Sequence, residues 1–107
     1  MTKLRDLLNS RVLVADGAMG TMLQAQGDLD LQRDFQGLEG CNEVLNITRP
    51  DVVSAVHRAY LEAGSDCVET NTFGTNLAAL AEYGIVDRLA ELASAGARIA
   101  RATADEF

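Results

Sequence analysis

The chain has 107 residues, 48% of them hydrophobic and 23% charged, which is the composition of one small globular domain rather than of a disordered segment. A formal net charge of -7 argues against nucleic acid, which needs a basic footprint, and against an anionic membrane surface. The opening MTKLRDLLNS lacks an apolar core segment and no run approaches the ~20 residues of a membrane span, so a soluble, cytoplasmic protein with reduced thiols is expected.

Residues Thr2 to Asn9 suit a short amphipathic helix, with Leu4, Leu7 and Leu8 on one side and Thr2 or the residue before it as a cap. Arg11 to Ala15 follows as a strand whose apolar run reads as buried on both faces, as in parallel sheets. The run stops at Asp16-Gly17, a turn signal, with Gly20 close behind. A carboxylate at the end of a buried strand, followed by glycines that admit close backbone approach, is how open α/β folds and barrels present a site. Asp-Gly pairs also end strands for no functional reason, and this stretch alone leaves both readings open.

Ala18 to Gln26 reads as a short helix with Met19, Met22 and Leu23 as core filler. Gly27 to Asn46 has glycines, alternating charge and no sustained period, and reads as a long loop, either functional or disordered. Thr48-Arg49-Pro50-Asp51 is a helix start: Thr48 can cap, Pro50 needs no N–H in a first turn, and Asp51 suits the positive helix end. An apolar stripe through Val52, Val53, Val56, Tyr60 and Ala63 then runs to Gly64, which ends it. His57, at the edge of the stripe, reads as a surface or half-buried helix residue rather than a catalytic one.

After a turn at Ser65-Asp66, Cys67 to Thr70 is the second strand, with Cys67 as a small buried hydrophobe. The polar run Asn71 to Asn76 is rich in donors and acceptors, and serves either a site or a self-satisfied turn. Asn76 caps a helix through Tyr83 that Gly84 closes, and a longer helix spans about Val86 to Asp105 with its charges on a solvated face. One histidine and two cysteines at unrelated spacings make no recognisable metal site. Alternating strands and helices argue for an α/β fold with parallel pairing and right-handed crossovers. Two strands do not make a sheet that stands alone, so the chain reads as the beginning of a doubly wound fold or barrel.

Taken together, Val12–Gln24 (VLVADGAMGTMLQ), Gly40–Thr48 (GCNEVLNIT) and Arg49–Asn76 (RPDVVSAVHRAYLEAGSDCVETNTFGTN) resemble the homocysteine S-methyltransferase family. The likeness is greatest to the homocysteine-binding module of its cobalamin-dependent members, and weakest over Gly27–Glu39. The resemblance implies that residues 1–107 are the first two βα units and leading helix of a (β/α)8 TIM barrel, a fold of ~250 residues, truncated before its third strand and with no second domain. It implies that Asp16 accepts hydrogen bonds from the ammonium of homocysteine, that the N–H groups of Gly17 and Ala18 approach its carboxylate, and that Thr70, Asn71 and Thr72 line the same pocket.

The implied reaction moves a methyl group from methylcobalamin, recharged by methyltetrahydrofolate, to the zinc-bound thiolate of homocysteine, giving methionine. Zinc ligands and donor modules would lie outside this chain, and neither Cys41 nor Cys67 falls at a ligand position. Some members carry a tyrosine where this chain has Gly74, a departure that favours the cobalamin type over the betaine type. The alternatives are a zinc enzyme using betaine or S-methylmethionine, and a non-catalytic fragment that self-associates through unpaired strand edges. The isolated chain is expected to be inactive.

Overall fold

Caps and apolar stripes set the helices of this chain, which a computed structural model describes over residues 3–107. Helix α1 (Leu4–Ser10) follows Lys3 and buries none of its side chains. The expected cap at Thr2 lies outside the described residues. Helix α2 (Gly20–Gln24) carries Leu23 into the core, and Met19 and Met22 pack against the same cluster. A 3₁₀ turn at Asn42–Val44 leads into α3 (Leu45–Thr48). Helix α4 (Pro50–Ala63) has its proline at the start, Asp51 in its first turn, and Gly64 at φ 113° closing it in the left-handed region. Helix α5 (Leu77–Glu82) is capped as expected, the Asn76 side chain accepting the Ala79 N–H at 2.8 Å. A second 3₁₀ turn, Val86–Arg88, opens α6 (Leu89–Ala104).

The two long helices form the spine. Helix α4 packs along α6, with α2 and α3 against its other flanks. Leu23, Leu45, Val53, Val56 and Leu92 are fully buried at these junctions. Each such side chain contributes about 1.5–3 kcal/mol by leaving water. Ser54 on α4 and Thr103 on α6 share a hydroxyl hydrogen bond of 2.9 Å inside the contact.

The expected strands are reduced to a point of contact. Among the described residues no strand forms, and Arg11–Ala15 and Cys67–Thr70 meet in a single parallel bridge between Ala15 and Cys67. Two extended segments with no neighbours on their outer edges have too few ladder bonds to run further. Val12 and Val14, expected inside, are 85% and 55% exposed for the same reason. Side chains supply what the ladder does not: the Asp66 carboxylate accepts the Val14 N–H at 2.8 Å and the Arg11 guanidinium at 2.6 Å. Arg11 and the Val14 N–H hold the Asp66 carboxyl down at about 2.

The segment Gly27–Asn46 is not the patternless loop expected. Its last residues, Cys41 to Asn46, are largely enclosed, with Cys41, Val44 and Leu45 at zero exposure. Its first half is a nest of carboxylate-held turns. Asp30 accepts the N–H groups of Gln32 and Arg33, and the buried Asp34 accepts the Asp30 N–H and is clasped by Arg33 and Arg49. Polar contacts of this kind leave no hydrophobic period to read.

Thr48 does not cap α4. Its hydroxyl donates backwards to the carbonyls of Asp34 and Val44, and Arg49 takes the cap position without a side-chain capping bond, its guanidinium being engaged with carboxylates. Cys67, expected to be a small buried hydrophobe, is exposed, because the bridge to Ala15 has no neighbouring strand among the described residues to cover it, whereas Cys41 is buried.

His57 is fully buried instead of half-buried, and neither ring nitrogen has a partner among the described residues. Burial holds its pKa below the ordinary 6.5, with Asp16 pulling weakly the other way. The folded state therefore binds fewer protons than the unfolded chain just below that value, and stability falls as pH drops through it. Urea midpoints at about pH 7.5 and 5.5 should differ in the wild type and converge in His57→Leu.

Gly96 of α6 has a packing reason. A Cβ there would lie 2.7 Å from Thr72 Cγ2 and 2.9 Å from Asn46 Nδ2. Alanine gains about 1 kcal/mol of helix propensity over glycine, but Asn46 is held by two hydrogen bonds and Thr72 is the neighbour that must shift, and overpacking costs about 1–3 kcal/mol. Gly96→Ala should therefore lower the urea midpoint, and Thr72 should be the residue displaced in its spectrum.

Candidate functional site

The two segments that carry polar residues at the ends of the extended stretches open onto one cleft of about 570 Å³. Asp16, Gly17 and Ala18 form one side of it, and Thr70, Asn71 and Thr72 another, with Glu43 and Tyr83 among the other lining residues. All the residues singled out in the sequence are thus brought together.

Each is held differently. Asp16 is half-buried, and both its oxygens lie 3.2 Å from the Glu69 N–H, so its carboxylate fastens the first segment to the second. A carboxylate offers about four lone-pair sites, which leaves capacity on the cleft side. Gly17 and Ala18 are exposed, and their N–H groups find no acceptor among the described residues. The Ala18 carbonyl accepts the Tyr60 hydroxyl of α4 at 2.7 Å, and a Cβ on Gly17 would stand 3.2 Å from that same oxygen. Tyr60 is therefore the buttress beneath the Asp16-Gly17-Ala18 turn, and the small residues let it come close.

On the opposite wall the hydroxyls of Thr70 and Thr72 are bonded to each other at 2.6 Å. Asn71 between them behaves otherwise. It is buried, and its amide donates to the Asn42 carbonyl and to Asn46 Oδ1, both at 3.0 Å. Asn46 returns the bond to the Asn71 carbonyl at 2.8 Å. The side chain of Asn71 thus anchors the wall to the core, and the flanking threonines present their hydroxyls.

The charged residues lining the cleft are Asp16, Glu43, Glu69 and Glu82, with no lysine, arginine or histidine. Such a cleft attracts a cation by its side chains, and can receive an anion only at backbone N–H groups. No group of three or more His, Cys, Asp or Glu among the described residues could hold a metal ion. Burial also raises the Cys41 thiol above its ordinary value, which opposes the thiolate a soft metal needs. The residues present therefore do not fit a zinc site.

Tyr60, Asn46 and Glu43 were not singled out in the sequence. Tyr60 sat in an apolar stripe, and Asn46 and Glu43 fell in a segment without a period. Only their place in GCNEVLN could have drawn attention to the last two.

A cleft at the ends of parallel-paired segments, built of one carboxylate-glycine turn and one threonine-rich turn, has the layout by which α/β folds present small-molecule sites. The homocysteine S-methyltransferase family model matches residues 13–107, and the chain belongs to that family. It is 61% identical over 106 residues to a methionine synthase of Mycobacterium tuberculosis (strain ATCC 25618 / H37Rv), and 57% identical over 106 residues to a methionine synthase of Mycobacterium leprae (strain TN). Each alignment covers 99% of this chain, and the chain spans about 9% of the length of these curated relatives.

Removing the Tyr60 hydroxyl leaves the Ala18 carbonyl without its partner, a loss of about 1 kcal/mol for a partly solvated bond. Tyr60→Phe should lower stability by that amount in urea and shift the amide resonances of Gly17 and Ala18, leaving those of α6 in place.

Proposed function

We propose that this chain is the amino-acid-binding portion of a homocysteine S-methyltransferase, forming the first two βα units of a (β/α)8 barrel. Asp16 accepts hydrogen bonds from the ammonium of homocysteine, and the N–H groups of Gly17 and Ala18 receive its carboxylate. Thr70 and Thr72 line the same pocket with their hydroxyls, and Asn71 holds them there. The observation that carries this reading is the meeting of both segments on one cleft whose charged side chains are all acidic and whose N–H groups are free beside them. That arrangement is complementary to a zwitterionic amino acid. Family membership and the names of the two mycobacterial relatives supply the choice of homocysteine.

In this reaction the sulfur of homocysteine attacks a methyl carbon, the new S–C bond forming as the donor's bond to that carbon breaks and the thiol proton is released. A thiol with a pKa of ~8.5 is mostly protonated at neutral pH and needs activation. The activating zinc and the methyl donor, methylcobalamin recharged by methyltetrahydrofolate, would both be supplied by residues and modules other than those described here. The 107 residues contribute recognition and orientation of the substrate's amino-acid end.

A nitrogen–proton correlation spectrum of the chain, recorded with increasing homocysteine, tests this. Shifts confined to Gly17, Ala18 and Thr70 to Thr72 are expected. Asp16→Asn keeps an acceptor for the Glu69 N–H and loses the charge, so homocysteine binding should weaken by about tenfold or more. Unchanged affinity in Asp16→Asn, or shifts elsewhere, would overturn the assignment.

A further inference from the structure

Glu43 is an acid in the wrong place for a surface residue. It sits in the 3₁₀ turn beside Cys41, Val44 and Leu45, all fully buried, and is itself only 9% exposed. Removing a carboxylate from water costs several kcal/mol unless a counter-ion or hydrogen bonds compensate. No lysine, arginine or histidine forms an ion pair with it among the described residues. Its partners are the Gly74 N–H, donating to Oε2 at 3.0 Å, and the Cys41 thiol, 3.9 Å from Oε1.

Gly74 is matched to this carboxylate. A Cβ at position 74 would come within 2.8 Å of Oε1, so the acid fills the space where a side chain would stand. The turn it grips follows directly on Thr72 and has little else to hold it. Phe73 is 99% exposed and contributes no packing. Within the turn the main ties are the Thr75 N–H to the Thr72 carbonyl at 3.0 Å and a long bond from Asn76 to the Phe73 carbonyl at 3.4 Å. Upstream, Asn71 is fastened to Asn46 and Asn42. Thr72 therefore hangs between two anchors, the Asn71 amide on one side and the Glu43–Gly74 bond on the other.

We propose that Glu43 is a positioning residue for the substrate cleft: through the Gly74 N–H it fixes the turn after Thr72, and so sets where the Thr70 and Thr72 hydroxyls point. Its function rests on its acceptor oxygen, not on its charge. The part of this inference that concerns homocysteine rests on the function proposed above. The anchoring of the turn does not.

Glu43→Gln retains an acceptor for the Gly74 N–H without the charge, whereas Glu43→Ala removes both. In the chain, amide exchange at Gly74 should be slow in the wild type and in Glu43→Gln, and at least about tenfold faster in Glu43→Ala. The Thr70 and Thr72 resonances should move in the alanine variant alone. Homocysteine should bind about tenfold more weakly to Glu43→Ala and within about threefold of wild type to Glu43→Gln. Should Glu43→Ala fail to fold, Gly74→Ala displaces the carboxylate through the 2.8 Å contact and is expected to move the same threonine resonances.

Equal loss of affinity in the glutamine and alanine variants would overturn the proposal in favour of a charged ligand contact. Unchanged Gly74 exchange in Glu43→Ala would also overturn it. If the wild type fails to bind homocysteine, the proposed function falls, and the exchange comparison alone still decides the role of Glu43.

Discussion

The interaction on which the rest depends is the reciprocal pair of buried amides, Asn46 and Asn71. Asn46 donates to the carbonyls of Asn71 at 2.8 Å and Leu92 at 3.2 Å, while Asn71 donates to Asn46 Oδ1 and to the Asn42 carbonyl. Three parts of the chain that share no helix or ladder are joined by these bonds: the Asn42–Thr48 segment, the threonine-rich turn and α6. Both residues are almost fully enclosed, so the loss of either leaves the other's polar groups stranded, at about 1–3 kcal/mol. A low local dielectric raises those stakes. Gly96 is part of the same arrangement, because only a missing side chain lets α6 lie against Asn46 and Thr72.

A second principle of construction follows from the shortness of the parallel pairing. With one bridge in place of a sheet, the two extended segments are joined by two backbone bonds, from the Asp66 N–H to the Val14 carbonyl and from the Asp16 N–H to the Cys67 carbonyl. They are joined as much by carboxylates acting as acceptors for the other segment's N–H groups. Asp66 takes the Val14 N–H from one direction, and Asp16 takes the Glu69 N–H from the other. The Ala15–Cys67 bridge lies between them, with the Asp16 N–H bonded to the Cys67 carbonyl at 3.1 Å. Arg11 neutralises Asp66 on the far side from the cleft, whereas Asp16 forms no ion pair among the described residues and lines the cleft. The two acids are structurally alike and electrostatically different, and the difference marks which end of the pairing can receive a ligand's positive charge.

What could be read in the sequence was local. Pro50 and Gly64 bracket α4, Asn76 starts α5, and positive φ at Gly84 closes it, because each of these residues acts through its own backbone or its own first turn. Asp16 and Thr70 were legible only as two separate polar clusters at the ends of apolar runs, and their sharing of one pocket was implied by the family resemblance rather than by the residues. What could not be read was set by distant partners. Thr48 has a cap residue's chemistry, yet the Asp34 and Val44 carbonyls claim its hydroxyl. Val12 and Val14 have a buried strand's composition, but burial needs neighbouring strands that these residues lack. The enclosed Cys41–Asn46 segment gave no signal, since its burial comes from packing against α4 and α6 and from amide bonds rather than from a period. His57 differs again: its stripe position was visible, but full enclosure depends on how elements pack around α4.

Fold and site share atoms here. The Asp16 carboxylate that would meet a substrate ammonium already accepts the Glu69 N–H, and a carboxylate can serve both at once because its lone pairs lie in several directions. A cation on the cleft side would share those oxygens with the Glu69 N–H, so any tightening of the two segments has to come from a ligand that touches both of them. Binding only to the folded form stabilises that form by mass action. With so little ladder to hold the segments, a ligand that touches both would be one more cross-link between them. A ligand held by both the Asp16-Gly17-Ala18 turn and the Thr70-Asn71-Thr72 turn would therefore couple order in one to order in the other across the Ala15–Cys67 bridge.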